Sequence, residues 1–375
     1  MTVSCILCCC LLAQAEAGWE VPGQPGAVDG RRATLLRELS TSRGLALEKI
    51  RTSLGLEPGK LPIRWVLRLE RAGKGAAGDQ GEAGWTEAGD REVVVTLPAW
   101  RYLAFPVKAR RVVIHEAVHA VMASRMGTAT AYRAVPRWFR EGVALLVSGE
   151  GPGRVNDRIS ATLLMGGNST DILGGVASRQ VYPAEGYLAV LWLEARLGKA
   201  GFRELLSRIA AGGAFNDELE KLTGFQSARL QKAVLLDSTR RISRLVSRPS
   251  ERLFSEAVER ARAGDYGRAR EKLGVLTGPE GSRALRDSAL FLHARTLVEE
   301  GLYSAAARRL ESLLRDGYEV PWEPEIFEQL GRCRQGMGRR VEAARLWRMV
   351  VERFPHDSAV QGRIRGFLDG LKSGG

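Results

Sequence analysis

Cysteine is nearly missing from this chain once its first ten residues are set aside. Of five cysteines, Cys5, Cys8, Cys9 and Cys10 sit in a leader-like start, leaving Cys333 alone in the remainder. That excludes a disulfide framework and removes thiolate from any list of metal ligands. Long apolar runs are also absent: none reaches the roughly 18 residues needed to span a bilayer, so no transmembrane segment is expected. Lysine is scarce, with 9 Lys against 47 Arg, and the net charge is +13. The arginines are scattered along the chain rather than gathered in a basic block, and no nucleic-acid-binding motif accompanies them, so nucleic acid is not an expected partner. Histidine occurs only four times, as His115, His119, His293 and His356.

Two of those four stand close together. Residues 112 to 142 read VVIHEAVHAVMASRMGTATAYRAVPRWFREG, with His115, Glu116 and His119 in H-E-x-x-H spacing. On a helix, positions i and i+4 share one face, so both imidazoles are placed to bind one metal ion. Glu116 lies about 100° round the helix, positioned to take a proton from an activated water rather than to bind the metal. Two histidines do not complete a catalytic zinc site, which needs a third protein ligand and an open position. Glu141, 22 residues past His119, supplies it if one helix ends at Met126-Gly127 and another starts after Pro136. Gly142 would let that second helix approach the first closely. A metzincin closure fails, because Met122 and Arg125 stand where Gly and His are required.

H-E-A-V-H followed by P-R-W-F-R-E-G-V-A resembles the gluzincin zinc metallopeptidases, most of all the bacterial peptidase MA-like branch with its downstream W-F-x-E-G. The resemblance spans roughly residues 30 to 235. It implies an α+β, thermolysin-like catalytic domain with a small antiparallel sheet and a helical lower half. It also implies one zinc ion held by His115, His119 and Glu141, with Glu116 as general base. Related families carry a tyrosine that donates to the oxyanion. Here the aligned position falls on Pro183, leaving Tyr182 and Tyr187 as candidate oxyanion stabilisers or as structural tyrosines. No G-x-M-E-N stretch lies between Trp85 and Val113, which argues against an amine-anchored exopeptidase and towards an endopeptidase.

Residues 1 to 17 have a short apolar core and A-x-A cleavage candidates ending at Ala15 and Ala17, although no Lys or Arg precedes them. They read as a signal peptide, so the protein is expected to be exported, periplasmic or secreted. Leu7 before Cys8, and cysteine before Cys9 and Cys10, disfavour a lipoprotein anchor. Residues 18 to 30 read as a flexible segment, and 31 to 246 as the metallopeptidase domain. Within the latter, Ala33 to Leu54 has helical periodicity, Pro62 to Leu69 alternates like a strand, and Arg91 to Leu97 reads as a second strand stopped by Pro98. By analogy Val93 to Leu97 is either the sheet edge over the active site or an ordinary core strand. Gly73 to Gly89 reads as a loop or hairpin connection, and residues 154 to 180 as a glycine-rich loop.

Residues 251 to 375 carry a repeat. Gly264, Gly301 and Gly338 recur 37 residues apart. Each has a small residue seven before it (Ala257, Ala294, Gly331), an alanine five after it (Ala269, Ala306, Ala343) and a large residue nine after it (Leu273, Leu310, Trp347). The pattern resembles tetratricopeptide repeats, helical hairpins of about 34 residues, and implies an all-α domain that binds a partner or substrate or serves as a scaffold. The whole then reads as an exported zinc metallopeptidase acting on a peptide or protein. Two alternatives remain at this level: a repeat-based scaffold with a vestigial zinc site, and a zinc hydrolase of non-peptide amides.

Overall fold

The structure, a computed structural model, describes residues 19–20, 30–68, 84–102, 109–164, 183–278, 284–315, 323–353 and 358–373. The signal-peptide reading of residues 1 to 17, and Tyr182, lie outside them. The described residues form two compact units, one of 19–151 with 183–235 and one of 152–164 with 236–373. Among the described residues no helix is long and apolar enough to cross a membrane.

The first unit begins with helix α1 (Gly30–Leu54), whose Leu35, Leu39, Ala46 and Ile50 are buried at four- and seven-residue steps. Three short strands follow: β1 (Ile63–Arg68), β2 (Trp85–Ala88) and β3 (Val93–Pro98). Their order is β1-β3-β2, with β1 parallel and β2 antiparallel to β3. Then come α2 (Ala99–Tyr102), α3 (Ala109–Met126), α4 (Ala129–Ala134) and α5 (Arg137–Ser148). Further on, α7 (Pro183–Ala210) bends at Gly198, and α8 (Phe215–Thr223) ends at Gly224 in the left-handed region. α9 (Ser227–Leu245) leads into the second unit.

These elements correct the expected fold class. The described chain is 79% helical with a single three-stranded sheet, so it is mostly all-α and not a thermolysin-like α+β domain with an antiparallel sheet. The physical reason is in the apolar spacing. Among the described residues only three stretches of four to six residues form strands, and elsewhere buried residues recur at helical steps. The sheet is mixed because β1 and β3 pair in parallel register, Ile63 opposite Val93. Val93 to Leu97 is not a sheet edge either. β3 is the central strand and is buried along nearly its whole length, while Trp85–Ala88, from the stretch read as a connection, takes the outer position.

In the second unit, α6 (Gly151–Leu164) replaces the expected loop over 154 to 164, since Pro152 in a first helical turn forfeits no hydrogen bond. Three hairpins follow: α10 (Arg248–Arg262) with α11 (Tyr266–Thr277), α12 (Arg286–Glu299) with α13 (Tyr303–Arg315), and α14 (Glu323–Gly336) with α15 (Arg340–Arg353). α16 (Ser358–Ser373) closes the row. Gly264, Gly301 and Gly338 occupy the hairpin turns at φ of +78°, +77° and +77°, which only glycine adopts freely. The alanines and large residues of the 37-residue pattern are all fully buried.

Candidate metal centre

Helix α3 runs through the middle of the first unit's core, with almost every residue from Val112 to Ser124 buried. Gly127, at φ +76°, stops it, and Thr128 caps α4 by accepting from the amide of Ala131. Pro136 then opens α5, which ends at Gly149 in the left-handed region. This return brings Glu141 back over the histidine face of α3. Gly142 does allow a close helix approach, but to α7 rather than to α3: a Cβ there would stand 2.3 Å from the carbonyl oxygen of Gly186.

His115, His119 and Glu141 converge. His115 Nε2 lies 3.2 Å from His119 Nε2 and 3.4 Å from Glu141 Oε2, and His119 Nε2 lies 3.6 Å from that same oxygen. Ligands bound about 2.0–2.2 Å from a tetrahedral zinc stand roughly 3.3–3.6 Å apart. The three donors therefore already mark one face of such a tetrahedron, and the N, N, O donor set suits zinc. Residues and geometry fit the ion that the motif implies.

Each histidine is held from behind. His115 Nδ1 is 3.1 Å from Glu150 Oε2, and His119 Nδ1 is 2.9 Å from the Tyr132 hydroxyl. An Nδ1–H that donates to these oxygens leaves the Nε2 lone pair facing the cluster, the tautomer a metal requires. Glu150 is itself steadied by Ser148, whose hydroxyl donates to Oε2 at 3.2 Å. The Tyr132 ring lies under the Arg140 guanidinium, 4.4 Å from its centroid, and burial pushes the phenol up to about 12, so the O–H stays intact.

Glu116 is buried beside the cluster, 7% exposed. Thr86 on β2 donates its hydroxyl to Glu116 Oε2 at 2.7 Å, fixing one carboxylate oxygen; among the described residues no hydrogen bond is made to Oε1. Charge is concentrated here. Burial alone would lower the pKa of His115, but Glu141 and Glu150 outweigh it and raise it to about 10. Burial opposes the charge on Glu141 too, yet the two histidines hold its carboxyl well below the ordinary range. In the metal-free protein His115 is thus an imidazolium between two carboxylates.

Tyr187 is buried in α7 with its ring packed against Gly151, where a Cβ would stand 2.2 Å from the ring. Thr86, Tyr132 and Glu150 are site residues that sequence reasoning missed. Each reaches its partner across the fold, 30, 13 and 35 residues away, so no local spacing marks it. No protein-family model, no curated protein and no solved structure matches this chain.

Proposed function

We propose that the protein is a zinc-dependent hydrolase of peptide bonds, with His115, His119 and Glu141 as metal ligands and Glu116 as general base. The observation that carries this reading is the combination of three donors at tetrahedral spacing with a buried carboxylate anchored through one oxygen by Thr86. A zinc ion so held would supply Lewis-acid polarisation of the scissile carbonyl and a lowered pKa for the attacking water. Glu116 accepts the proton of that water at Oε1 and returns it to the leaving amine nitrogen. Thr86 keeps the carboxylate oriented through both transfers. Glu150 and Tyr132 hold the imidazole planes so that neither ligand swings away. Burial of Glu116 and His119 limits water around the charges and strengthens their interactions.

The motif resemblance to gluzincin peptidases supports a peptide substrate, and the hairpin row supports a surface for binding a partner or the substrate chain. The test is hydrolysis of a denatured-protein digest and a peptide library by the zinc-loaded protein beside Glu116→Gln. Cleavage by the wild type, with at least a 1,000-fold loss in Glu116→Gln and undiminished zinc content, is the expected result. Equal cleavage by both would remove Glu116 from the mechanism.

A further inference from the structure

Of the three candidate ligands, Glu141 is the one that solvent reaches most. Its side chain is 26% exposed, against 15% for His115 and 8% for His119, so the cluster is best approached from the Glu141 side. The two oxygens of this carboxylate face different groups. Oε2 lies 3.4 and 3.6 Å from the Nε2 atoms of His115 and His119. Oε1 lies 3.7 Å from Nε of Arg137, one helical turn earlier in α5. That distance is too long for a hydrogen bond, and the Arg137 side chain is 79% exposed, so its N–H donors are left for another partner. The first turn of α5 holds no acidic residue that would compete for it. Adding the span of one carboxylate puts Arg137 Nε within roughly 6 Å of the oxygen that faces the histidines.

We propose that Arg137 determines specificity by taking a carboxylate of the substrate, so that the site acts on acidic peptides. The carboxylate is an Asp or Glu side chain within two residues of the scissile bond, or the free C-terminus of the peptide. One residue of extended chain covers about 3.3–3.6 Å, so either source reaches the guanidinium from a bond held at the cluster. The guanidinium is always charged and its planar fork matches a carboxylate through two parallel hydrogen bonds, which neither a lysine nor an amide reproduces. A Glu141 that shares its charge with a metal also holds Arg137 less, which leaves the cation free to pair with an incoming anion. This inference rests on the zinc-hydrolase reading above and names the substrate class for that same site.

The experiment uses the full zinc-loaded chain as wild type, Arg137→Gln, Arg137→Lys and Arg137→Glu. The substrates are fluorogenic peptide pools of equal length, rich in Glu, Gln or Lys, each with a free or an amidated C-terminus. Both kcat and KM are measured. Binding of labelled samples of the same pools to the Glu116→Gln chain, with and without Arg137→Gln, is followed by fluorescence anisotropy. The wild type should prefer acidic to neutral peptides by about 10-fold in kcat/KM, with most of the difference in KM. Arg137→Gln should erase that preference, Arg137→Lys should restore a part of it, and Arg137→Glu should turn it towards Lys-rich peptides. An advantage that follows the Glu-rich pools assigns the carboxylate to a side chain, and one that follows the free C-terminus assigns it to the chain end. A wild type indifferent to peptide charge and to both kinds of C-terminus would overturn the proposal. So would an Arg137→Gln protein that loses kcat equally on every pool, because Arg137 would then act through Glu141 and not on substrate. A wild type that cleaves no pool would defeat the hydrolase reading instead. The anisotropy would then decide the role of Arg137 by itself, with tighter binding of acidic pools that Arg137→Gln removes supporting it and equal binding of all pools refuting it.

Discussion

At the scale of single residues, the proposed zinc site sets a metal against a proton. His115 in the metal-free protein carries a proton on each nitrogen, because Glu141 and Glu150 together raise its pKa to about 10. A metal must therefore displace the Nε2 proton across the whole neutral range. Apparent zinc affinity should rise by roughly tenfold per pH unit between pH 6 and 9, with about one proton released per zinc. Titration calorimetry in buffers of different ionisation enthalpy measures both quantities, and a flat affinity would show that zinc displaces no proton from His115. Thr86 makes a separate prediction. Thr86→Val keeps the strand's shape but removes the donor to Glu116, so kcat should fall by about 10-fold with zinc content unchanged. The spacing of His115, Glu116 and His119 was legible because a helix converts i, i+4 into adjacency. Glu141 was legible because Gly127 and Pro136 bracket the turn between its helix and theirs. Thr86, Tyr132 and Glu150 were not, since only tertiary packing brings them within hydrogen-bonding range.

At the scale of elements, glycines decide which helices can touch. Gly142 and Gly186 face one another across α5 and α7: a Cβ on the first would stand 2.3 Å from Gly186 O, and one on the second 2.5 Å from Trp138 O. Both obstacles are backbone, so neither yields cheaply. Gly186→Ala should cost about 1–3 kcal/mol or more of stability, seen as a lower denaturation midpoint, and should disturb zinc binding through α5. The third hairpin offers a compensating pair. A Cβ on Gly331 would stand 2.0 Å from Trp347 Nε1, whereas the first two hairpins combine alanine with leucine as Ala257 with Leu273 and Ala294 with Leu310. Gly331→Ala should therefore destabilise, and adding Trp347→Leu should recover part of the loss. The recovery is partial because Trp347 also donates to the Glu328 carbonyl at 3.1 Å and stacks on Phe367. Additive losses in a double-mutant cycle would contradict this packing. The 37-residue repeat was readable because its small and large residues recur at fixed offsets. The parallel register of β1 and β3 was not, since it depends on how the chain crosses between them rather than on alternation within either strand.

At the scale of the whole molecule, the charged cluster ties stability to pH. The folded pKa of His115 is raised above its ordinary 6.5, so its stabilisation is complete below pH 6.5 and is lost as pH climbs to about 10. Glu141 is depressed below its ordinary 4.5, so its contribution is present above that value and is lost in acid. In this cluster the metal-free protein should be most stable between about pH 4.5 and 6.5, whereas the increment from zinc should grow with pH as the competing proton leaves. Thermal melts with and without zinc at pH 5, 7 and 9 check both trends. The central claim remains the three-ligand site, and its most direct test is the zinc content of the purified chain beside Glu141→Ala. The account predicts about one zinc per wild-type chain, and at least a hundredfold weaker retention against a chelator in the variant. A wild type that holds no zinc after reconstitution, or a Glu141→Ala protein that holds it equally well, would contradict it.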